Sequence, residues 1–200
     1  MHGFGIIAAY TRRSCIIGLN GGIPWTLRED RDYFKNQTRD GALLMGRGTW
    51  EESKIHLPHS KATIVMSTNA FFREEMDSIP NVSTASSFAE ALESANSLVS
   101  SSMISPNNVW VVGGEAIYKT ALMHESAREL HLTEIEMSAE EEDRILNDGK
   151  RVARFPPKNR WGDKYTKVET VEGERSGLDG LPTYNFNVYK SKIENIIYKN

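Results

Sequence analysis

The sequence predicts an α/β fold built on a mainly parallel sheet, and three observations carry that expectation. Four apolar runs, GFGIIAAY (3–10), ALLMG (42–46), ATIVMS (62–67) and VWVVGG (109–114), are continuous rather than alternating, as in strands covered on both faces. Helical patterns fall between these runs, the β-α alternation of a parallel sheet. The last third changes character: ELHLTEIEM (129–137), KYTKVETVEG (164–173) and TYNFNVYK (183–190) mix polarity, so one face of each is wetter.

Taken in order, the first strand leads through a glycine-containing segment to a helix over about 26–38. Thr26 with Glu29 three residues later reads as a capping box. On that helix Leu27, Asp30 and Phe34 share one face, which places a carboxylate between two apolar side chains. Either Asp30 is functional on an inward face, or it is an exposed first-turn acid favoured by the helix dipole. A short helix follows from about 49. A longer one over about 87–101 has Phe88, Leu92, Ala95 and Val99 near one face, and another runs from about 115 to 123. EEEDRILNDGKR (140–151) reads as a solvated loop or insertion. GERSGLDGLP (173–182) is a turn-rich connection, so the last two strands should pair antiparallel. No repeat or long linker divides the chain; residues 1–190 form one domain and 191–200 a tail.

Composition excludes several functions. With 39% hydrophobic and 26% charged residues and a net charge of −3, nothing is basic enough for a nucleic-acid-binding surface. No apolar run approaches the ~20 residues of a membrane span, and MHGFGIIAAYTRR is too short, with its charges misplaced, for a secretory signal. The five histidines lack metal-ligand spacing, so no metal is expected. Cys15 is the one cysteine, which rules out an internal disulfide and fits a cytoplasmic, reducing setting; it reads as an apolar filler rather than a nucleophile. A monomer is expected.

Two strand–helix turns carry candidate chemistry. VWVVGGEAIY (109–118) passes through Gly113-Gly114, where a backbone without side chains can approach a ligand closely and a following helix offers free N–H groups. It is not the G-x-G-x-x-G dinucleotide fingerprint, and it could be only a tight turn. LLMGRGTWEE (43–52) repeats the logic with Arg47 and Thr49; Arg supplies a donor fork suited to phosphate, although Thr49 could simply cap the helix. Two such turns in one sheet point to a ligand with more than one phosphate, a dinucleotide being the economical choice.

IIGLNGGIPWTLREDRDYF (16–34), LLMGRGTWEES (43–53), VWVVGGEAIY (109–118) and LHLTEIE (130–136), in this order and spacing, resemble the dihydrofolate reductase family over residues 4–190. The resemblance implies a single domain with a twisted, mostly parallel eight-stranded sheet, flanking helices and an antiparallel C-terminal strand. It implies hydride transfer from NADPH to C6 of a dihydropterin with protonation of N5. Asp30, with Thr133 and a water near Trp25, would then be the catalytic set. Ile7, Ala8, Phe34 and Val112 would wall the pterin, with Tyr118 beside the nicotinamide. Ala9, Ile17, Gly46, Arg47, Gly48, Thr49, Ser67, Thr68, Gly113, Gly114, Glu115, Ala116 and Ile117 would contact the cofactor.

The chain departs from the family pattern at the substrate's glutamate tail. Ser60 stands where an arginine usually grips the tail's carboxylate, Arg31 where an apolar residue usually faces the aminobenzoyl ring, and Ser53 where another covers that ring. Thr68-Asn69 replaces a basic residue often found near the cofactor's 2′-phosphate. Val152 and Ala153 replace polar anchors of the active-site loop. The implied function is therefore dihydrofolate reduction, with two alternatives: a same-fold reductase of another small molecule, such as a pterin without glutamate, or a non-catalytic pterin- or nucleotide-binding protein.

Overall fold

The structure, a computed structural model, describes residues 2–53, 59–178 and 180–193, of Ser53 the backbone only. Its strands are β1 (Phe4–Thr11), β2 (Ile16–Leu19), β3 (Ala42–Gly46), β4 (Ala62–Met66), β5 (Val82–Ala85), β6 (Val109–Gly113), β7 (Ala127–Glu136), β8 (Val152–Arg154), β9 (Tyr165–Glu172) and β10 (Thr183–Ser191). The helices are α1 (Arg28–Gln37), α2 (Arg47–Ser53), α3 (Ala70–Met76), α4 (Phe88–Ser100), α5 (Glu115–Met123) and α6 (Ala139–Asn147). Eight strands form one sheet in the order β5-β4-β3-β6-β1-β7-β10-β9. The first six in that order run parallel, while β10 pairs antiparallel with both β7 and β9. This is the predicted α/β architecture, with its continuous apolar runs at the centre.

The two faces of the sheet bury separate clusters. On one, Phe4, Ile6, Leu44, Ile64 and Val111 pack under α4 and α5 through Leu92, Val99, Tyr118 and Leu122. On the other, Ile7, Leu43, Met45, Val65 and Trp110 meet Phe72 and Met76 of α3 and Tyr33 and Phe34 of α1. The alternation of side chains along each strand sorts neighbours to opposite faces, so Ile7 and Ala8 serve different clusters.

Two expectations change. Thr26 and Glu29 form no capping box: Leu27 is the N-cap and makes no side-chain bond. Glu29 instead accepts from the Tyr184 hydroxyl at 2.8 Å and from the Glu174 N–H at 3.2 Å, so long-range bonds to β10 and to the β9–β10 connection displace the local one. Residues 140–151 are not a solvated loop, because most of the segment belongs to α6, which Ser138 and Glu141 cap reciprocally. Arg13 reaches across to bond the Ala139 carbonyl and the Asp143 carboxylate, at 3.2 and 3.0 Å. Short elements unread in the sequence also appear: α3, β5, and the two-stranded sheet of β2 and β8. That small sheet answers the loss of polar anchors at Val152 and Ala153, since backbone pairing of Leu19 with Val152 and Gly18 with Ala153 ties the segment instead. Residues 194–200 of the expected tail lie outside the described residues. Among the described residues no helix is long and apolar enough to cross a membrane.

Candidate functional site

The site begins where α1 crosses the sheet. Asp30 follows the buried Leu27 by three positions and turns its carboxylate inward to accept a hydrogen bond from Thr133, a 2%-exposed residue of β7. Burial pushes the Asp30 carboxyl above its ordinary range, and the Thr133 bond and the nearby Arg31 charge offset this only in part. One turn further along α1, the Tyr33 hydroxyl lies 2.7 Å from Nδ1 of His131, whose Nε2 is 3.7 Å from the Glu129 carboxylate. Glu129, His131 and Thr133 alternate along β7, so they share a face and give α1 two polar attachments to that strand. The period-2 alternation of ELHLT was the available signal for His131 and Glu129, which the sequence reading passed over.

Around this carboxylate the structure gathers some expected residues and separates others. Ile7, Phe34 and Val112 share one apolar cluster. Ala9, paired with Thr133 across β1 and β7, packs with Trp25, Leu27, Ile135, Tyr184 and Phe186. The Trp25 indole N–H is buried and finds no partner among the described residues. Such a donor costs about 1–3 kcal/mol and marks a place where a bound molecule can be held. Ala8 and Tyr118 lie in the cluster on the opposite face. Tyr118 spends its hydroxyl on the Ile7 carbonyl at 2.8 Å, so it fixes the backbone of β1 under the site.

The tail positions are spread along the rim. Arg31 is exposed on α1, one turn before Lys35. His59 and Ser60 are half-buried, and His59 Nε2 lies 3.0 Å from the Thr38 hydroxyl. Burial and then the charges of Lys35 and Arg39 lower the His59 pKa, evidence that this rim is electropositive. Leu57 and Pro58, and the side chain of Ser53, lie outside the described residues.

A second region lies at the carboxyl ends of the parallel strands, where open α/β sheets bind ligands. Gly113 ends β6 with φ +123° and is joined to Gly114 by a cis peptide. A Cβ on Gly113 would stand 3.3 Å from the Tyr118 ring and hydroxyl, and one on Gly114 would stand 3.0 Å from the Thr49 hydroxyl. The Thr49 side chain of α2 is thus seated directly on the glycine pair. At Gly46 a Cβ would meet Ile117 at 3.3 Å. Beside these turns opens a cavity of about 640 Å³, lined by Arg47, Ser67, Thr68, Ala116 and Ile117 among the expected residues. Asn69 lines it beside Thr68, while Ser86, Ser87 and Thr120 also line it and were not foreseen; Ser86 and Ser87 follow β5, which is short and polar and carries no apolar period. Gly48, in the first turn of α2, has open space around its Cβ position. Backbone pinched around the glycines, one guanidinium and several hydroxyls suit a dinucleotide, and the residues present fit one.

Glu115 and Ile17 take different parts. Ile17 sits on β2 and packs partly buried against the core. Glu115 accepts from Lys119 Nζ at 2.6 Å and from the Arg154 backbone N–H at 3.1 Å, so it clamps β8 to the start of α5. Burial raises its pKa, but these two bonds and the Lys119 and Arg151 charges outweigh that and hold the carboxyl below its ordinary range. Glu115→Ala should therefore loosen β2 and β8 while costing no more than about 1 kcal/mol overall, the pair being partly exposed. Hydrogen exchange should quicken at Leu19 and Phe155 before it quickens in β6; unchanged protection would remove the clamp.

Similarity to known proteins was found in sequence and in structure. A family model described as "Dihydrofolate reductase" matches residues 4–152. The dihydrofolate reductase of Heliothis virescens is 27% identical over 188 residues, 87% of this chain and 90% of that protein. That of Aedes albopictus is 34% identical over 137 residues, 62% of this chain and 69% of that protein. A solved dihydrofolate reductase from Enterococcus faecalis, complexed with NADP(H) and RAB-propyl, matches the fold with a TM-score of 0.70. It covers 96% of this chain and 97% of its own at 23% identity.

Proposed function

This chain belongs to the dihydrofolate reductase family, and from that premise we propose that it reduces 7,8-dihydrofolate to tetrahydrofolate with NADPH. The observation that carries the reading is the desolvated Asp30 carboxylate bonded to Thr133 at the edge of an apolar wall. NADPH, when bound, supplies the hydride that reduces pterin C6.

The chain's own residues bind, orient and move protons. Asp30 holds the pterin's 2-amino group and N3, and Thr133 fixes the direction of its carboxylate. Ile7, Phe34 and Val112 exclude water from the ring, which strengthens the carboxylate's hold. A carboxyl with a raised pKa polarises the pterin and, with the unpaired Trp25 N–H, organises the water that brings a proton to N5. The Gly113-Gly114 turn, with Thr49 seated on it, lets the cofactor's reactive ring approach that wall, while Arg47, Gly48, Ser67 and Thr68 face its phosphates and ribose. Holding two rings in contact removes much of the entropic barrier to hydride transfer. We place the enzyme in the cytoplasm, consistent with its one cysteine, and take it to act as a monomer.

Arg31 takes over the tail contact that Ser60 lacks the charge to make. Its exposed guanidinium and the electropositive rim of Lys35 and Arg39 support this role. Arg31→Ala should raise the KM for dihydrofolate about ten-fold, the worth of one partly exposed charge-assisted bond, and leave kcat within about two-fold. The same change should not affect a dihydropterin lacking glutamate. Equal effects on both substrates would place Arg31 outside the tail site.

The direct test is NADPH oxidation by the purified protein with dihydrofolate and with a tail-less dihydropterin. Turnover of neither would overturn the reductase reading.

A further inference from the structure

The helix that carries Asp30 has little apolar hold of its own. No side chain within α1 is fully buried, and its N-cap, Leu27, makes no side-chain capping bond. Apolar packing is non-directional, so it does not by itself fix how far such a helix rolls over the sheet. Hydrogen bonds do, because they demand both distance and angle.

Two rungs join α1 to β7. Asp30 meets Thr133, and one turn later the Tyr33 hydroxyl meets His131 Nδ1 at 2.7 Å. The second rung is braced from behind. His131 is 8% exposed, sets its ring T-shaped against Trp110 at 5.0 Å, and points Nε2 at the Glu129 carboxylate 3.7 Å away. The contact with His131 outweighs burial and, with the Arg128 and Lys190 charges, keeps the Glu129 carboxyl below its ordinary range. An ionised carboxylate there draws the imidazole proton to Nε2, which leaves Nδ1 to accept and Tyr33 to donate. Burial, then the charges of Glu169, Glu129 and Asp30, push the Tyr33 phenol up to about 12, so it keeps that proton at neutral pH. The Tyr33 ring in turn lies on Phe186 of β10, 4.6 Å between centroids.

We propose that Tyr33 and His131 are positioning residues for the reaction: the chain from Glu129 through His131 to Tyr33 sets the roll of α1 and so aims the Asp30 carboxylate at the pterin. Both residues act through Asp30. The proposal rests on the reductase reading for what Asp30 does.

The experiment compares Tyr33→Phe in the parent and in Asp30→Asn, reading kcat/KM and Kd for dihydrofolate and the Tm in each. Tyr33→Phe keeps the ring on Phe186 and removes only the hydroxyl. It should lower kcat/KM about ten-fold in the parent, inside the roughly hundred-fold that a displacement of about 1 Å can cost, but less than about two-fold once Asp30 is asparagine. The Tm loss should be alike in both backgrounds, since the bond to His131 is broken in both. His131→Leu should cost about as much activity as Tyr33→Phe, and the double change no more than either. His131→Asn, which keeps an acceptor near the place of Nδ1, should recover part of the activity. Equal activity losses in the parent and in Asp30→Asn would make the pair a support of the fold alone and overturn the proposal, as would an unchanged kcat/KM in Tyr33→Phe. A parent that binds dihydrofolate without reducing it overturns the reductase reading, and the same comparison in Kd then judges the tether. A parent that does neither overturns both.

Discussion

Asp30→Asn is expected to lower kcat about 10²–10³-fold at neutral pH, the scale of a lost proton-transfer group, while making the folded protein more stable. Asparagine keeps the shape and still bonds Thr133, but it cannot carry the charge that polarises the pterin. The defect should widen as pH rises, because the substrate's own protonation then fails and nothing replaces it. The stability gain follows from the direction of the shift. Burial raises the Asp30 pKa, so the folded state binds this proton more tightly than the unfolded chain does. Ionising the group therefore costs stability as pH climbs past the ordinary carboxylate value of about 4, and the cost keeps growing until pH passes the raised value of the folded state. The variant should show a higher Tm than the parent at pH 7, with the difference shrinking below about pH 4. An unchanged kcat would remove Asp30 from the mechanism; a lower Tm would mean that its charge is stabilised by the fold rather than tolerated for function.

Gly113→Ala should cost about 2–4 kcal/mol of stability, combining backbone strain with forced repacking, and weaken NADPH binding at least ten-fold. At φ +123° an L side chain is strained, and its Cβ would press on Tyr118 while only touching Thr49. Tyr118 cannot retreat without surrendering its 2.8 Å bond to the Ile7 carbonyl, so the strain passes into β1 beneath the pterin wall. Urea denaturation and fluorescence quenching by NADPH measure the two effects. Tyr118→Phe in the same chain should relieve the contact with the hydroxyl and none of the φ strain. Stability within a few tenths of a kcal/mol of the parent, with unaltered binding, would show that the turn tolerates a side chain.

Much of this architecture was legible because it depends on local patterns. The buried strands announce themselves as β1, β3, β4 and β6 do, in unbroken apolar runs, and the inward phase of Asp30 follows from its spacing to Leu27 and Phe34. The misread elements had competing or weak local signals. Thr26 and Glu29 satisfy the sequence rule for a capping box, yet Tyr184 and Glu174, far along the chain, claim the same carboxylate. Ser138 and Glu141 formed the box that was overlooked, inside a run whose charge suggested solvent. β5 and β8 are four and three residues long, too short to display a period.

The candidate site divides along the same line. Residue order alone determined the continuous core strands, the carboxylate on α1, the glycine turn after β6, and the family to which the chain belongs. Only the tertiary structure decided that Thr133 and His131 fasten α1 to β7, and that Tyr118 serves Ile7 from the far face. The reason is physical. Periodicity and capping are interactions within a few residues and are written where they act. Desolvation, shared hydrogen bonds and the cancelling of charges arise between segments that the folded sheet brings together.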